Sequence, residues 1–388
     1  MSLLDTASLV VTPNGTKASK LYSVVPSSGA GDLSVTRATT ATRVNSSGLI
    51  ESVASNVPRL DYTNGSCPSI LVEPQRTNIA LYSEQFNNAY WGKYQATVTA
   101  NSSVAPDGNT TADTLTISSG TGGSLYVLSP ITGTYTASAF FKAGTTNVAQ
   151  IEAPTVGYVD FNLSAGTFIT SGSVTATIKS FGNGWYRCTA TFTGTAVPYF
   201  AFLATGTTGQ NIQIWGAQLE AGSYATSYIP TTSASVTRNA DVISKTGISS
   251  LIGQTEGTMF VDYIWNNNDN SDAIPYFVEG NNGKLFWFRQ GGIQFYGNSG
   301  ALLFDYRPGA TYNTRYKLAF VYGQNDFRLY INGTLASSST SGTFSGTFSD
   351  LIFTPILGDT FGQSMKTNTF ALWKTRLTNS QLQTLTTI

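Results

Sequence analysis

Between residues 87 and 240 the sequence repeats one device: a short run of β-branched and aromatic residues, then a turn built from Gly, Asn, Pro or Ser. Helical periodicity never persists there for more than a few residues. A chain patterned this way buries its apolar side chains by pairing strands and stacking sheets, so it reads as an antiparallel sandwich and not as alternating β and α units. The expected strands are 114–117, 134–142, 148–152, 158–163, 174–181, 185–192, 199–204 and 211–219. Tyr135 to Lys142 alternates in part, and Trp185 to Phe192 follows the turn Gly182-Asn183-Gly184.

The chain has 388 residues, too many for one ordinary core, and the length favours two to three domains. Hydrophobic residues make up 41%, but charged ones only 11%, against about 25% in ordinary globular domains. The surface is therefore solvated mainly by hydroxyls and amides. Lys plus Arg and Asp plus Glu each total 21, so no net field draws the chain to phosphate backbones or anionic membranes. Nucleic-acid binding is not expected. No apolar run approaches the ~18 residues that span a bilayer, and Met1 to Thr6 turns polar at once, so neither membrane insertion nor Sec export is expected. Cys67 and Cys188 fall in different expected modules and read as two separate reduced thiols. Histidine is absent, which removes the usual general base, every Ser-His or Cys-His pair and the commonest zinc ligand.

Three regions follow: an N-terminal attachment or oligomerisation segment (1–86) and two β-sandwich modules (87–240 and 241–388). The first alternates short apolar pieces with turns such as Pro13-Asn14-Gly15 and Pro26-Ser27-Ser28-Gly29. It has too little apolar content for a core of its own, so its strands are expected to pack on a partner. Pro68 to Phe86 is the joint. The run Ile70 to Val72 closes at Glu73-Pro74, because proline blocks a central ladder position and restrains the residue before it. A chain shortened to begin near Leu81 is accordingly expected to stay β-rich but lose assembly. Residues 228–241 read as a polar exit linker. In the last module Asn332-Gly333 marks a type I′ hairpin turn, and Thr378 with Gln381 can cap a short C-terminal helix.

Three stretches carry resemblances. Asn87 to Trp91, Gly184 to Arg187 and Ile214 to Pro230, which contains Trp215-Gly216-Ala217-Gln218-Leu219-Glu220, resemble the jelly-roll, carbohydrate-binding-module-like domains of bacteriophage structural proteins. Arg315 to Tyr322, the hairpin 326–336 and Phe370 to Leu382 are similar to the concanavalin-like (laminin G-like) lectin sandwich. Leu71-Val72-Glu73-Pro74-Gln75-Arg76-Thr77-Asn78 resembles virion proteins of tailed phages, including those infecting Bacteroidetes. The resemblances imply an all-β virion protein made in the host bacterial cytoplasm. They further imply a fibre, adhesin or decoration role, other virion proteins as partners, homo-oligomeric (trimeric) assembly, and host-surface polysaccharide as a ligand.

Sugar rings stack their C–H faces on aromatic planes, which makes Trp91 and Tyr94 in the first module, and Trp287, Tyr296 and Tyr306 in the second, the candidate carbohydrate-binding residues. Trp185, Trp215 and Trp373 lie inside expected strands and read as core. Asn266 to Asp272 supplies hard oxygen atoms, with Asp269 and Asp272 as candidate Ca²⁺ ligands. The run lacks the Gly and terminal Glu of an EF-hand loop, so a solvated turn competes with that reading and no cofactor is expected. Asp262, Glu279 and Asp305 could in principle supply a glycosidase pair, but no Glu-x-Asp-x-x-Glu strand motif is present and binding without catalysis is expected.

Overall fold

The computed structural model describes residues 2–63, 65–265, 276–280, 283–289, 292–296, 301–309, 311, 313–342, 347–353 and 364–388. The fold is all-β, with antiparallel strand pairing throughout the described ladders and a short C-terminal helix, Asn379–Thr386. No described helix is long and apolar enough to cross a membrane. The chain forms two compact units, and neither is a continuous stretch of sequence. One comprises residues 1–40, 53–75 and 239–388; the other comprises 41–52 and 76–238.

The first unit is built on one hydrogen-bonded ribbon. In spatial order its strands are Leu302–Tyr306, Gly292–Tyr296, Gly283–Arg289, Tyr276–Gly280, Phe348–Phe353, Val242–Lys245, Leu33–Thr36, Lys20–Val25, Leu9–Lys17, Met365–Trp373, Gly257–Trp265, Thr314–Tyr322, Phe327–Ile331 and Thr334–Ser339. A twisted ribbon this long curls onto itself. Phe295 and Phe304 near one end accordingly meet Phe320 near the other, at ring-centroid distances of 5.4 and 5.2 Å. The three N-terminal strands are the middle of this ribbon. Leu9 pairs with Leu372 on one side, and Val35 pairs with Ile243 on the other. Period-two alternation then buries both faces of the first strand: Leu9 and Val11 enter the main core, while Val10 joins Phe260, Trp373 and Leu382 under the C-terminal helix.

This corrects the expected boundaries. Residues 1–86 do not form a unit of their own: 1–40 and 53–75 pack with the C-terminal module, and 41–52 and 76–86 belong to the other unit. Local turn chemistry also misled. Pro13-Asn14-Gly15 lies inside Leu9–Lys17, where the register shifts between Val11 and Thr16 and absorbs the irregular residues. Other local signals held. The strand Ser69–Val72 stops before Glu73-Pro74, Asn332 and Gly333 both have positive φ (48° and 81°) at the hairpin turn, and Thr378 and Gln381 form the capping box.

In the second unit two long strands, Gly122–Ala143 and Trp185–Thr205, pair along nearly their whole length. The sequence read them as shorter pieces. Positions 130 and 198 fall where the register shifts, between Leu128–Tyr199 and Ile131–Val197, and both strands run on through them. Phe141 pairs with Tyr186 and Phe202 with Leu125. Along a straight strand Phe141 and Leu125 would be about 50 Å apart, yet the rings of Phe141 and Phe202 sit 6.1 Å apart. The ladder therefore folds over, and its two halves face each other across one core.

Residues 228–241 are not an exit linker. Val236–Arg238 pairs back with Arg76–Asn78, and the Asn78 side chain is wholly buried with all its bonds made. It donates to Ala217 O (3.1 Å) and Ile229 O (2.8 Å) and accepts from the N–H groups of Ala80 and Leu219 (both 3.0 Å). Gln218 Oε1 accepts from Ile229 N (2.8 Å), and Glu220 accepts from Thr226 N (2.8 Å) and Thr226 Oγ1 (2.7 Å). The polar residues of the 214–230 motif thus hold the chain's return inside this unit.

Candidate functional site: an open tyrosine face

The second unit carries an outward sheet face that register builds row by row. Its strands run Gly92–Tyr94, the first half of Gly122–Ala143, the second half of Trp185–Thr205, then Val148–Ala153, Gly157–Asn162 and Thr167–Gly172. Directly opposed residues of an antiparallel pair share a face. One row therefore reads Tyr94, Ser124, Leu203, Gln150, Asp160, Ile169; the next reads Gly92, Tyr126, Ala201, Glu152, Tyr158, Ser171. Leu128 and Tyr199 are paired in the row beyond. The alternate positions, among them Leu125, Val127, Phe200, Phe202, Ile151, Val159 and Phe161, fill the core. At ~4.8 Å between strands, six strands present a surface about 24 Å across.

Four tyrosines mark this face. Tyr94 is 62% exposed, Tyr158 is exposed, and Tyr126 and Tyr199 are half-buried with ring centroids 5.8 Å apart. Tyr126 packs against Gly92, where an added Cβ would come within 2.4 Å of the ring, so the missing side chain is what makes room for this ring. Gln150 Nε2 donates to Asp160 Oδ1 at 2.7 Å, leaving further acceptor positions on that carboxylate. Burial raises the Glu152 carboxyl above its ordinary range, and it raises the Tyr199 hydroxyl too, with the nearby Glu152 charge adding to the shift. Aromatic planes interleaved with carboxylate and amide groups can stack apolar ring faces and fix hydroxyls.

Of the residues named from sequence, Tyr94 alone stands on this face. Trp91 is a correction. It is 1% exposed, packs on Phe86, Tyr90, Phe200 and Phe202, and donates its Nε1–H to Tyr82 O at 3.1 Å. A large aromatic at the mouth of a sandwich is better satisfied inside the core than in water. Trp185, Trp215 and Trp373 are buried, as expected.

In the first unit Tyr306 pairs with the buried Ile293 and is half-buried against the core, and Tyr296 is half-buried. Trp287 pairs with Gln294, and its side chain lies outside the described ones. Asp269 and Asp272 also lie outside the described residues. Among the described residues, no group of three or more His, Cys, Asp or Glu could hold a metal ion. Asp262 is bound by Arg315 (2.8 and 2.5 Å) and Asn368 (3.0 Å), and Asp305 by Arg307 (2.8 and 3.0 Å) and Gln294 (3.1 Å). The Glu279 side chain is outside the described ones.

Sequence reasoning missed Tyr126, Tyr158, Tyr199 and Glu152. The signal was present in the alternation of Gln150-x-Glu152 and Tyr158-x-Asp160 along correctly located strands. Their cross-strand register, which aligns them, is not local information.

No family model and no curated protein matches the chain. Parts of it are similar to solved structures. The binding domain of Paraclostridial mosquitocidal protein 1 is 16% identical at TM-score 0.31, over 38% of this chain and 43% of that one. The binding domain of botulinum neurotoxin serotype G is 15% identical at TM-score 0.31, over 37% and 39%. A Trypanosoma rangeli sialidase is 13% identical at TM-score 0.28, over 34% and 22%. The chain spans less than half the length of each.

Proposed function

We propose that this chain is a non-enzymatic glycan-binding virion protein and that the tyrosine face of the second unit makes the sugar contact. The observation that carries the reading is the in-register set Tyr94, Tyr126, Tyr158 and Tyr199, interleaved with Glu152, Gln150 and Asp160 on one open sheet. The ligand class is an extended polysaccharide, because the face is broad and shallow. Shallow contacts gain strength when several copies act together on one particle. The virion assignment rests on the sequence resemblances and on the weakly charged, hydroxyl-rich composition.

A second reading, a structural virion protein whose faces meet other virion proteins, draws on the apolar margins of the same face, where Leu128 is 73% and Ile169 is 75% exposed. Screening the oligomeric protein against host-surface polysaccharides decides between the two. Retention of a polysaccharide supports the lectin-like role, and uniform absence of binding reduces the chain to the structural one. Locating the chain in purified particles by electron microscopy tests the virion assignment separately.

A further inference from the structure

Sheet edges are templates for another strand unless a fold blunts them with charge, bulges or brevity. The ten-stranded sheet of the second unit has four such strands. Gly92–Tyr94 is three residues long and carries Lys93. Ala96–Ser103 breaks register between Thr99 and Ser103. Val174–Ser180 carries Lys179. The fourth, Thr167–Gly172, has none of these devices. It holds six consecutive residue pairs with Gly157–Asn162 without a shift, and it contains no charged residue and no proline. Ile169 at its centre is the most exposed large hydrophobic side chain described.

We propose that Thr167–Gly172 is a self-pairing edge through which two copies of this chain join their sheets antiparallel, about a two-fold axis passing through Ile169. The chemistry selects both the partner and the register. A strand without charge on a chain of zero net charge meets no repulsion from its own copy. Centring on Ile169 sets Ile169 against Ile169 and Thr167 against Ser171, which covers the exposed isoleucine with an apolar side chain. Centring one half-step away would set it against Thr170. Because directly opposed residues share a face, the same register places the two tyrosine faces on one side of the joined sheet. Pairing of this kind closes at two copies. Six residues bury little area, so the dimer is weak and concentration-dependent. The association does not depend on the glycan reading.

The register makes the test sharp. With Cys67→Ser removing the exposed native thiol, Ile169→Cys places two cysteines directly opposite, with Cα atoms about 4.5–5.5 Å apart and within disulfide reach. Ser171→Cys alone places them about 14 Å apart, out of reach. Mixing Thr167→Cys with Ser171→Cys restores opposition. The expected result is oxidative cross-linking of Ile169→Cys and of the 167/171 mixture, but not of Ser171→Cys alone. Sedimentation of the native chain should show reversible dimerisation, weakened about tenfold or more by Ile169→Lys. The equivalent charge on the bulged edge, Thr99→Lys, should leave it unchanged. Equal cross-linking of Ile169→Cys and Ser171→Cys would overturn the proposal, as would a native chain that stays monomeric at millimolar concentration.

Discussion

Arg59 and Asp241 are separated by 182 positions in the chain and joined side by side in the first unit, where Arg59 Nη2 and Nε both donate to the Asp241 carboxylate. Arg37 Nη1 donates to the same carboxylate at 2.8 Å, and Arg59 Nη1 reaches Glu73 at 2.7 Å. The four residues are at most 3% exposed. Burial alone would lower the Arg59 pKa, but the charges of Asp241 and Glu73 outweigh it and hold the guanidinium above its ordinary value. Each member lies within a few residues of a point where the chain leaves or re-enters this unit. Two positive and two negative charges thus lie near its four internal segment ends.

Removing one partner leaves a buried charge uncompensated. Asp241→Asn should therefore destabilise the first unit by ~3–5 kcal/mol, read as a fall in the urea midpoint. A loss below about 1 kcal/mol would show that the group is not a structural anchor.

A chain beginning near Leu81 lacks Leu9–Lys17, Lys20–Val25, Leu33–Thr36, Arg59–Asp61 and Ser69–Val72 from the first unit, Ala41–Val44 and Arg76–Asn78 from the second, and Ile50–Val53 at their boundary. The central strands of the ribbon cannot be dispensed with, so this shortened chain should lose near-ultraviolet circular dichroism and become sensitive to protease. That outcome reverses what composition suggested. A protease-resistant product containing residues 242–388 would contradict the described topology.

Trp91→Ala and Tyr94→Ala separate core from surface in aromatic residues three positions apart. The first should cost ~3–5 kcal/mol, and the second should lie within about 0.5 kcal/mol of the native chain. Denaturation curves of the two variants check this directly.

Cys67 is exposed, whereas Cys188 is wholly buried and its thiol is pushed up by burial. A native chain treated with an alkylating reagent should gain one label, at Cys67, and a second only on unfolding. Two labels under native conditions would show that the core of the second unit opens readily.

Burial raises the Glu84 carboxyl, even though it accepts a hydrogen bond from Tyr228 Oη at 2.9 Å. A raised folded-state pKa contributes stability below the unfolded value, near 4.3, and this is lost as pH rises through the folded value. Glu84→Gln keeps an acceptor for Tyr228 and removes the charge. The variant should gain stability over the native chain as pH rises from 4 toward 7, and a gain that instead grows toward low pH would give the wrong sign.

Much of the fold was legible because its signals are local. Asn332-Gly333 specifies its turn, Thr378 and Gln381 their cap, and Glu73-Pro74 a strand end. What escaped depends on distant partners. Nothing near Leu9 announces pairing with Leu372, and nothing near Tyr126 announces Ala201, Glu152 and Tyr158 beside it. The joint at residues 68–86 was visible, but its meaning differs: Glu73 closes one unit and Asn78 clasps the other, so the boundary between Gln75 and Arg76 is one of four crossings.

If the outward tyrosines of the second unit hold a polysaccharide, a binding titration of the native chain and Tyr126→Ala/Tyr158→Ala against a polysaccharide retained in the screen will separate the two proteins. Both substitutions are on the outward face and leave the core side chains in place. The double variant should lose affinity by about tenfold or more, ~1.4 kcal/mol, with an unchanged urea midpoint. Equal affinity of the two proteins would contradict it.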